Sequence, residues 1–291
     1  MKQPILDMWL EFMNNSLSDV EIKKANIRHH DIEAEFFEKA HPEGSSIFER
    51  AKVLESIGFI VKNSASKGVC IDIGCGTGFL TRFELPYYKM VVATDISKGM
   101  LKVAKRRLKG AKSLNFLVCD ADYLPFKSNI ADLISVSSVL HHLPKPFSTL
   151  HELSRVIKNN GFIYITREPS FQRFRRFFDF FDYFVVGRFL KLLSFLRSKS
   201  GDRKVNKQAN GLNYVKVDIH YSTGFHTIQL SEALSSRGFK ILSAYSYHWI
   251  YPDSNKDWVH NLLTRSNFLI EKFPLSNRFG RYVSVIARKS A

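Results

Sequence analysis

The chain has 291 residues, 45% of them hydrophobic and 13% aromatic, enough for one large core with appendages and too few for two full domains. Lys and Arg outnumber Asp and Glu 43 to 27, for a formal charge of +16, which suits anionic surfaces or phosphates without saying what carries them. No window offers ~18 uninterrupted apolar residues, so a membrane span is not expected.

Residues 1–46 read as a helical cap. Ile5, Met8, Trp9, Phe12 and Met13 have helical spacing, and Ile27, Ile32 and Phe36 follow it more loosely. A first core helix is expected over 47–60. The run Val69-Cys-Ile-Asp-Ile73 is an apolar strand of the kind buried inside a parallel sheet. It leads into Gly74, Gly76 and Gly78, where the backbone can approach a ligand without a Cβ in the way. The dinucleotide fingerprint needs its third glycine one position later, where this chain has Phe79. G-x-G-x-G after an acid, Asp72, points away from NAD and toward S-adenosylmethionine (SAM). The helix that follows is expected to be short, because Pro86 interrupts it.

A second strand, Met90 to Asp95, ends in an acid suited to two ribose hydroxyls. The third, Asn115 to Cys119, runs into Asp120 and Ala121, and the fourth, Ala131 to Ser137, into His141 and His142. A helix over 150–157 is expected to end in a left-handed cap at Asn159-Asn160-Gly161, before a fifth strand over 162–166. Alternating strands and helices make a doubly wound α/β sheet. The cysteines Cys70, Cys75 and Cys119 form no C-x-x-C pair, so neither a disulfide framework nor a metal site is expected. Cys75 reads as a small residue in a tight turn.

Residues 169–221 interrupt this pattern. Phe171, Phe174, Phe178, Phe181, Val185, Phe189, Leu192 and Leu196 share one helical stripe. Between 167 and 207 there are eleven Lys/Arg against four Asp/Glu. A basic aromatic helix fits a membrane surface, a cover over a greasy substrate, a partner protein or ordinary core. His220 follows this insertion, and residues 222–291 supply a helix and two last strands.

In order, DIGCGTG, ATDIS, CDADYLPF, SSVLHHLPKP and NNGFIYI resemble the class I SAM-dependent methyltransferases. The group most similar contains the ubiquinone/menaquinone C-methyltransferases and many small-molecule methyltransferases. The resemblance covers roughly 47–168. It implies a Rossmann-like, mostly parallel seven-stranded sheet, with its last strand between the fifth and sixth. It implies that Asp72, Gly74, Gly76, Thr77 and Gly78 hold the methionyl part of SAM. Asp95 would take the ribose, Ile96 would pack on the adenine, Asp120 and Ala121 would read its edge, and Ser137 would touch the cofactor from the fourth strand. The cap would be a lid over the cofactor or a cover for one sheet edge. His141, His142 and His220 are the candidate proton acceptors, with Glu168 a weaker one. The expected activity is methyl transfer to a small or lipid-like acceptor by a cytoplasmic protein, with a membrane surface reached through 171–196. An RNA methyltransferase is the alternative, resting on Lys98, Lys102, Lys105, Arg106, Arg107, Lys109 and Lys112. A non-catalytic SAM-binding subunit is a third reading.

Overall fold

The computed structural model describes residues 18–41, 46–171, 223–247, 265–272 and 280–291. Seven strands form one sheet: β1 (Val69–Ile73), β2 (Met90–Asp95), β3 (Leu114–Val118), β4 (Ala131–Ser137), β5 (Ile157–Pro169), β6 (Phe239–Tyr247) and β7 (Tyr282–Lys289). Their order is β3-β2-β1-β4-β5-β7-β6. Only β7 runs antiparallel, between β5 and β6. The strand order reverses between β1 and β4, and a crevice opens at such a switch point beyond the strands' carboxyl ends.

Alternation along each strand serves both faces. Ile71, Ile134, Ile163 and Ile165 pack in one layer with Leu150 and Leu153 of α6 (Pro146–Val156) and with Leu230 and Leu234 of α7 (Thr227–Ser235). Cys70, Leu133, Phe162 and Tyr164 pack on the other against Val53, Ile57 and Ile60 of α3 (Ile47–Asn63). The short α4 (Thr81–Glu84) and the longer α5 (Lys98–Arg107) complete the core, while α2 (Phe37–Ala40) buries none of its residues.

One sequence expectation fails here. Asn159-Asn160-Gly161 does not cap a helix. α6 stops at Val156, and Ile157 is already extended and pairs with Ala131 in the sheet. The three residues make an irregularity inside β5, after which Phe162 pairs with Leu133. Ile157 is fully buried, so its β-branched side chain gains more in the sheet than as a last helical residue. Asn160 keeps the left-handed backbone (φ 62°). A Cβ on Gly161 would lie 2.9 Å from Ile157 Cγ1, so a glycine lets the chain fold back there.

The cap contributes α1 (Asp19–Glu33). Ser18 and Glu21 form a reciprocal capping box at its start. Its buried face is Ile22, Asn26, His29 and Glu33, not the apolar series. Ile32 and Phe36 are 48% and 37% exposed. A helix that buries polar groups must be covering something other than core. Among the described residues, no helix is long and apolar enough to cross a membrane.

Candidate active site

A cavity of about 350 Å³ lies at the carboxyl ends of β1, β2 and β4, with α1 as its roof. Its floor is the glycine loop. Gly74 has φ +62°, and a Cβ there would lie 2.4 Å from Val139 Cγ2, so only glycine fits beneath the turn after β4. Gly76 has φ +54°, and a Cβ there would meet no protein atom within 4 Å. The space over Gly76 is open. Its N–H donates to Asp95 Oδ2 (2.9 Å), while Asp95 Oδ1 accepts from Ser97 N (2.8 Å). Asp95 thus ties the loop to the start of α5 and still lines the cavity. Burial pushes its carboxyl up, against those two backbone donors.

The roof is fastened by polar contacts. Lys23 Nζ donates to Asp120 Oδ2 (2.7 Å) and Asp122 Oδ2 (2.5 Å). Asp31 Oδ1 accepts from Ser97 Oγ (2.6 Å) and Gly99 N (2.7 Å). Asn26 Nδ2 donates to the His142 carbonyl (3.2 Å). Glu35 takes Arg106 through both oxygens, and Glu38 pairs with Arg107. Two residues of the basic run that supports an RNA reading therefore hold the cavity roof in place.

One wall is rich in histidine. His141 and His142 lie on a 3-10 turn (Leu140–His142) after β4. Glu168, fully buried on β5, accepts from His141 Nδ1 (2.9 Å) and from the amides of Val139 (2.7 Å), Leu140 (2.9 Å) and His141 (3.2 Å). Burial alone would raise its carboxyl, but the His141 ring and those amides hold it below the usual range. The ring centroids of His141 and His142 are 4.0 Å apart, and those of His142 and His30 4.9 Å. Burial pushes the His30 imidazole down to about 4, the nearby Glu33 notwithstanding. Ser138 and Arg167, both cavity-lining, hold left-handed backbones (φ 56° and 59°). Non-glycine residues in that region carry strain that clusters at functional sites.

Residues 71–165 match a family model described as a methyltransferase domain. These residues carry a methyltransferase domain. A demethylmenaquinone methyltransferase of Clavibacter sepedonicus is 33% identical over 132 residues, covering 42% of this chain and 54% of that protein. One from Staphylococcus saprophyticus is 31% identical over 142 residues, covering 47% and 60%. The chain thus spans little more than half the length of these relatives. Two solved structures share the fold. A candidate methyltransferase from Bacillus halodurans has TM-score 0.52 at 18% identity, over 81% of this chain and all of that one. A chain from the complex of the Haloferax volcanii Trm112 methyltransferase activator with a candidate methyltransferase has TM-score 0.54 at 15% identity, over 90% and 98%.

The methyltransferase domain brings most of the expected residues together. Asp72, Gly74, Gly76, Thr77, Asp95, Ile96, Asp120, Ala121, Ser137, His141 and His142 all line the cavity. Gly78 does not. Its φ is +90° and a Cβ there would lie 2.8 Å from Leu108 Cδ1, so it packs the loop against the end of α5. Glu168 is not a cavity residue either; it is enclosed behind His141 and positions that ring. Burial pushes the Cys75 thiol well up, which suits the turn role over a nucleophile. His220, residues 5–13 and the aromatic stretch from 172 to 196 lie outside the described residues. Lys23, Asn26, His29, His30 and Glu33 line the cavity too; the sequence offers a lid as one reading of this segment without singling them out. Their spacing of three, four and seven on one helix was the available signal, and polarity hid it.

Behind the floor sits a buried acid pair. Asp72 accepts from Thr81 Oγ1 (2.6 Å) and is raised well above its ordinary range by burial and by neighbouring Glu84. Glu84 is fully buried, neither of its oxygens has a hydrogen-bond partner, and burial pushes its carboxyl up to about 7. Folded protein therefore keeps a proton at Glu84 that the unfolded chain releases at lower pH. Stability should fall as pH rises from the ordinary glutamate range to about 7, and the penalty is complete above that. Glu84→Gln, neutral and isosteric, should be more stable than wild type by about 2–3 kcal/mol at pH 8, with the gap closing at pH 5. Urea unfolding at both pH values checks this. A gap that does not change with pH would remove the buried charge as its cause.

Proposed function

We propose that the protein transfers the methyl group of SAM to a small, quinone-like or other lipid-like acceptor that presents an ionisable hydroxyl or activated carbon. The carrying observation is that one cavity holds both the glycine loop with Asp95 and a histidine, His141, positioned by a buried carboxylate. The open space over Gly76 and the carboxylate of Asp95 fit an adenosyl sulfonium. Asp72, Gly74, Gly76 and Thr77 would hold its methionyl part, Asp95 its ribose, Ile96 its adenine face, and Ser137 would approach from β4. Asp120 and Ala121 would read the adenine edge. Lys23 already binds Asp120, and Asp122 offers the same lysine a second anchor when Asp120 turns to the base. SAM supplies an electrophilic methyl with a neutral leaving group, so the protein's work is alignment, exclusion of water and removal of the acceptor's proton. With its proton on Nδ1 toward Glu168, His141 has its lone pair on Nε2. The relatives named as demethylmenaquinone methyltransferases support a quinone-like acceptor, and the Phe-rich basic stretch 171–196 supports a greasy one.

Methyl-labelled SAM given with lipid extract, soluble metabolites and total RNA from the same cells should label the lipid or metabolite fraction. Label in RNA would overturn the small-molecule reading. No label anywhere with SAM binding intact would leave a non-catalytic subunit. A membrane route predicts flotation with anionic vesicles that is lost as salt rises, each basic residue contributing about 1 kcal/mol. Phe178→Ser with Phe181→Ser should weaken it, and absence of flotation at low salt would exclude that route.

A further inference from the structure

We propose that His29, His30 and Glu33 form a binding site for one divalent transition-metal ion in the cavity roof. On α1, Glu33 follows His29 by four residues and His30 by three, so all three side chains meet on one face. His29 Nε2 lies 3.3 Å and His30 Nδ1 3.8 Å from Glu33 Oε2, and one ligand atom from each residue falls within 4.8 Å of the others. Ligands about 2.0–2.2 Å from a tetrahedral ion sit roughly 3.4 Å from one another, so small side-chain shifts would seat an ion among them.

An independent observation points the same way. Glu33 is 1% exposed, yet its Oε2 has no hydrogen-bond partner, and neither has His30 Nδ1. The two imidazoles approach this one carboxylate oxygen as ion-pair neighbours outside good hydrogen-bond geometry, an arrangement that ligands gathered around one ion also have. The second oxygen, Oε1, lies 3.0 Å from His41 Nε2. Such an outer imidazole fixes the orientation of a ligating carboxylate. Two imidazoles and one carboxylate suit a zinc-class ion, and three protein ligands leave a coordination position open. His29, His30 and Glu33 all line the cavity, so that position faces the acceptor space.

The acceptor class rests on the methyl-transfer reading above. The open position would take the hydroxyl oxygen of a phenol or quinol and lower its pKa, so that its proton passes more readily to His141. Three residues of the lid, and none of the glycine loop, would then select the acceptor.

Untagged full-length protein titrated with Co²⁺ should bind one ion per chain, with a visible absorption band that Zn²⁺ displaces. Glu33→Gln and His30→Ala should each weaken that binding at least 10-fold, and His41→Ala by about 10–100-fold. His151→Ala, on exposed α6 surface away from the cavity, should leave it unchanged. SAM binding, measured on the same samples, should survive in every variant and shows that each is folded. No Co²⁺ bound by the wild type at ~1 mM would overturn the site, whatever the variants do, as would equal affinity in Glu33→Gln, His30→Ala and wild type. Co²⁺ bound as expected by a wild type that does not bind SAM would support the site and overturn the acceptor class.

Discussion

His141→Ala should lower kcat by about 10²–10⁴-fold while SAM affinity stays within a few-fold. The ring is on the 3-10 turn that leaves β4, inside the cavity wall, and is set by Glu168 from β5. Glu168 is enclosed and already receives three backbone amides, so the cost of burying its charge is met before any substrate arrives. Such a carboxylate acts by holding the imidazole in one tautomer and by stabilising it once it has taken a proton. Glu168→Gln should therefore reduce kcat less than His141→Ala does, again without weakening SAM binding. Single-turnover rates and calorimetric titration of SAM separate the two quantities. Full turnover in His141→Ala would leave the ring as scaffolding, the result expected for an amine acceptor that binds already neutral.

Asp95→Ala should weaken SAM binding by about 2–4 kcal/mol, the loss of two charge-assisted hydrogen bonds. The structure adds a second cost. Asp95 also accepts from Gly76 N and Ser97 N, so its removal leaves two amides unpaired and frees the loop that must cradle the ligand. Asp95→Asn keeps one oxygen for those amides and should lie between wild type and alanine. Gly76→Val tests the same floor by filling it. No protein atom lies within 4 Å of the new Cβ, so the branch point itself meets no neighbour. The substitution costs about 1–2 kcal/mol of left-handed backbone strain and occupies the space the ligand needs. Wild-type affinity in either variant, with the fold intact by circular dichroism, would sink the assignment.

What could be read from the sequence follows from where one signal dominates. β1, β2 and β4 are short segments rich in β-branched and apolar residues and flanked by turn residues, and the structure gives them the ends the sequence suggests. Gly76 was legible as a point where the backbone lies open, because its loop is local, whereas the missing Cβ of Gly74 makes room for Val139, a distant residue. Gly78 was not separable from them, since its constraint is Leu108, thirty residues away. The Asn159-Asn160-Gly161 signal was real at the backbone level, but sheet pairing of Ile157 decided which element received it. The roof was least legible. Hydrophobic periodicity predicts the face of a helix that meets core, and α1 turns Asn26, His29 and Glu33 inward while Ile32 looks out, as does Phe36 just beyond its end.

The way α1 is held down has a thermodynamic signature of its own. Ion pairs and hydrogen bonds secure it, from Lys23 with Asp120 to Glu35 with Arg106, and few apolar side chains are covered on its inner face. Lifting it would hydrate charges and bare little hydrocarbon, so its opening should have a small heat-capacity change. Denaturants, which act in proportion to exposed surface, should hardly affect that opening, while added salt should favour it. Amide hydrogens of α1 should thus exchange faster in 0.5 M salt at an unchanged rate in β1 and β4. Ligand entry and exit would then follow ionic strength, decoupled from the stability of the sheet below.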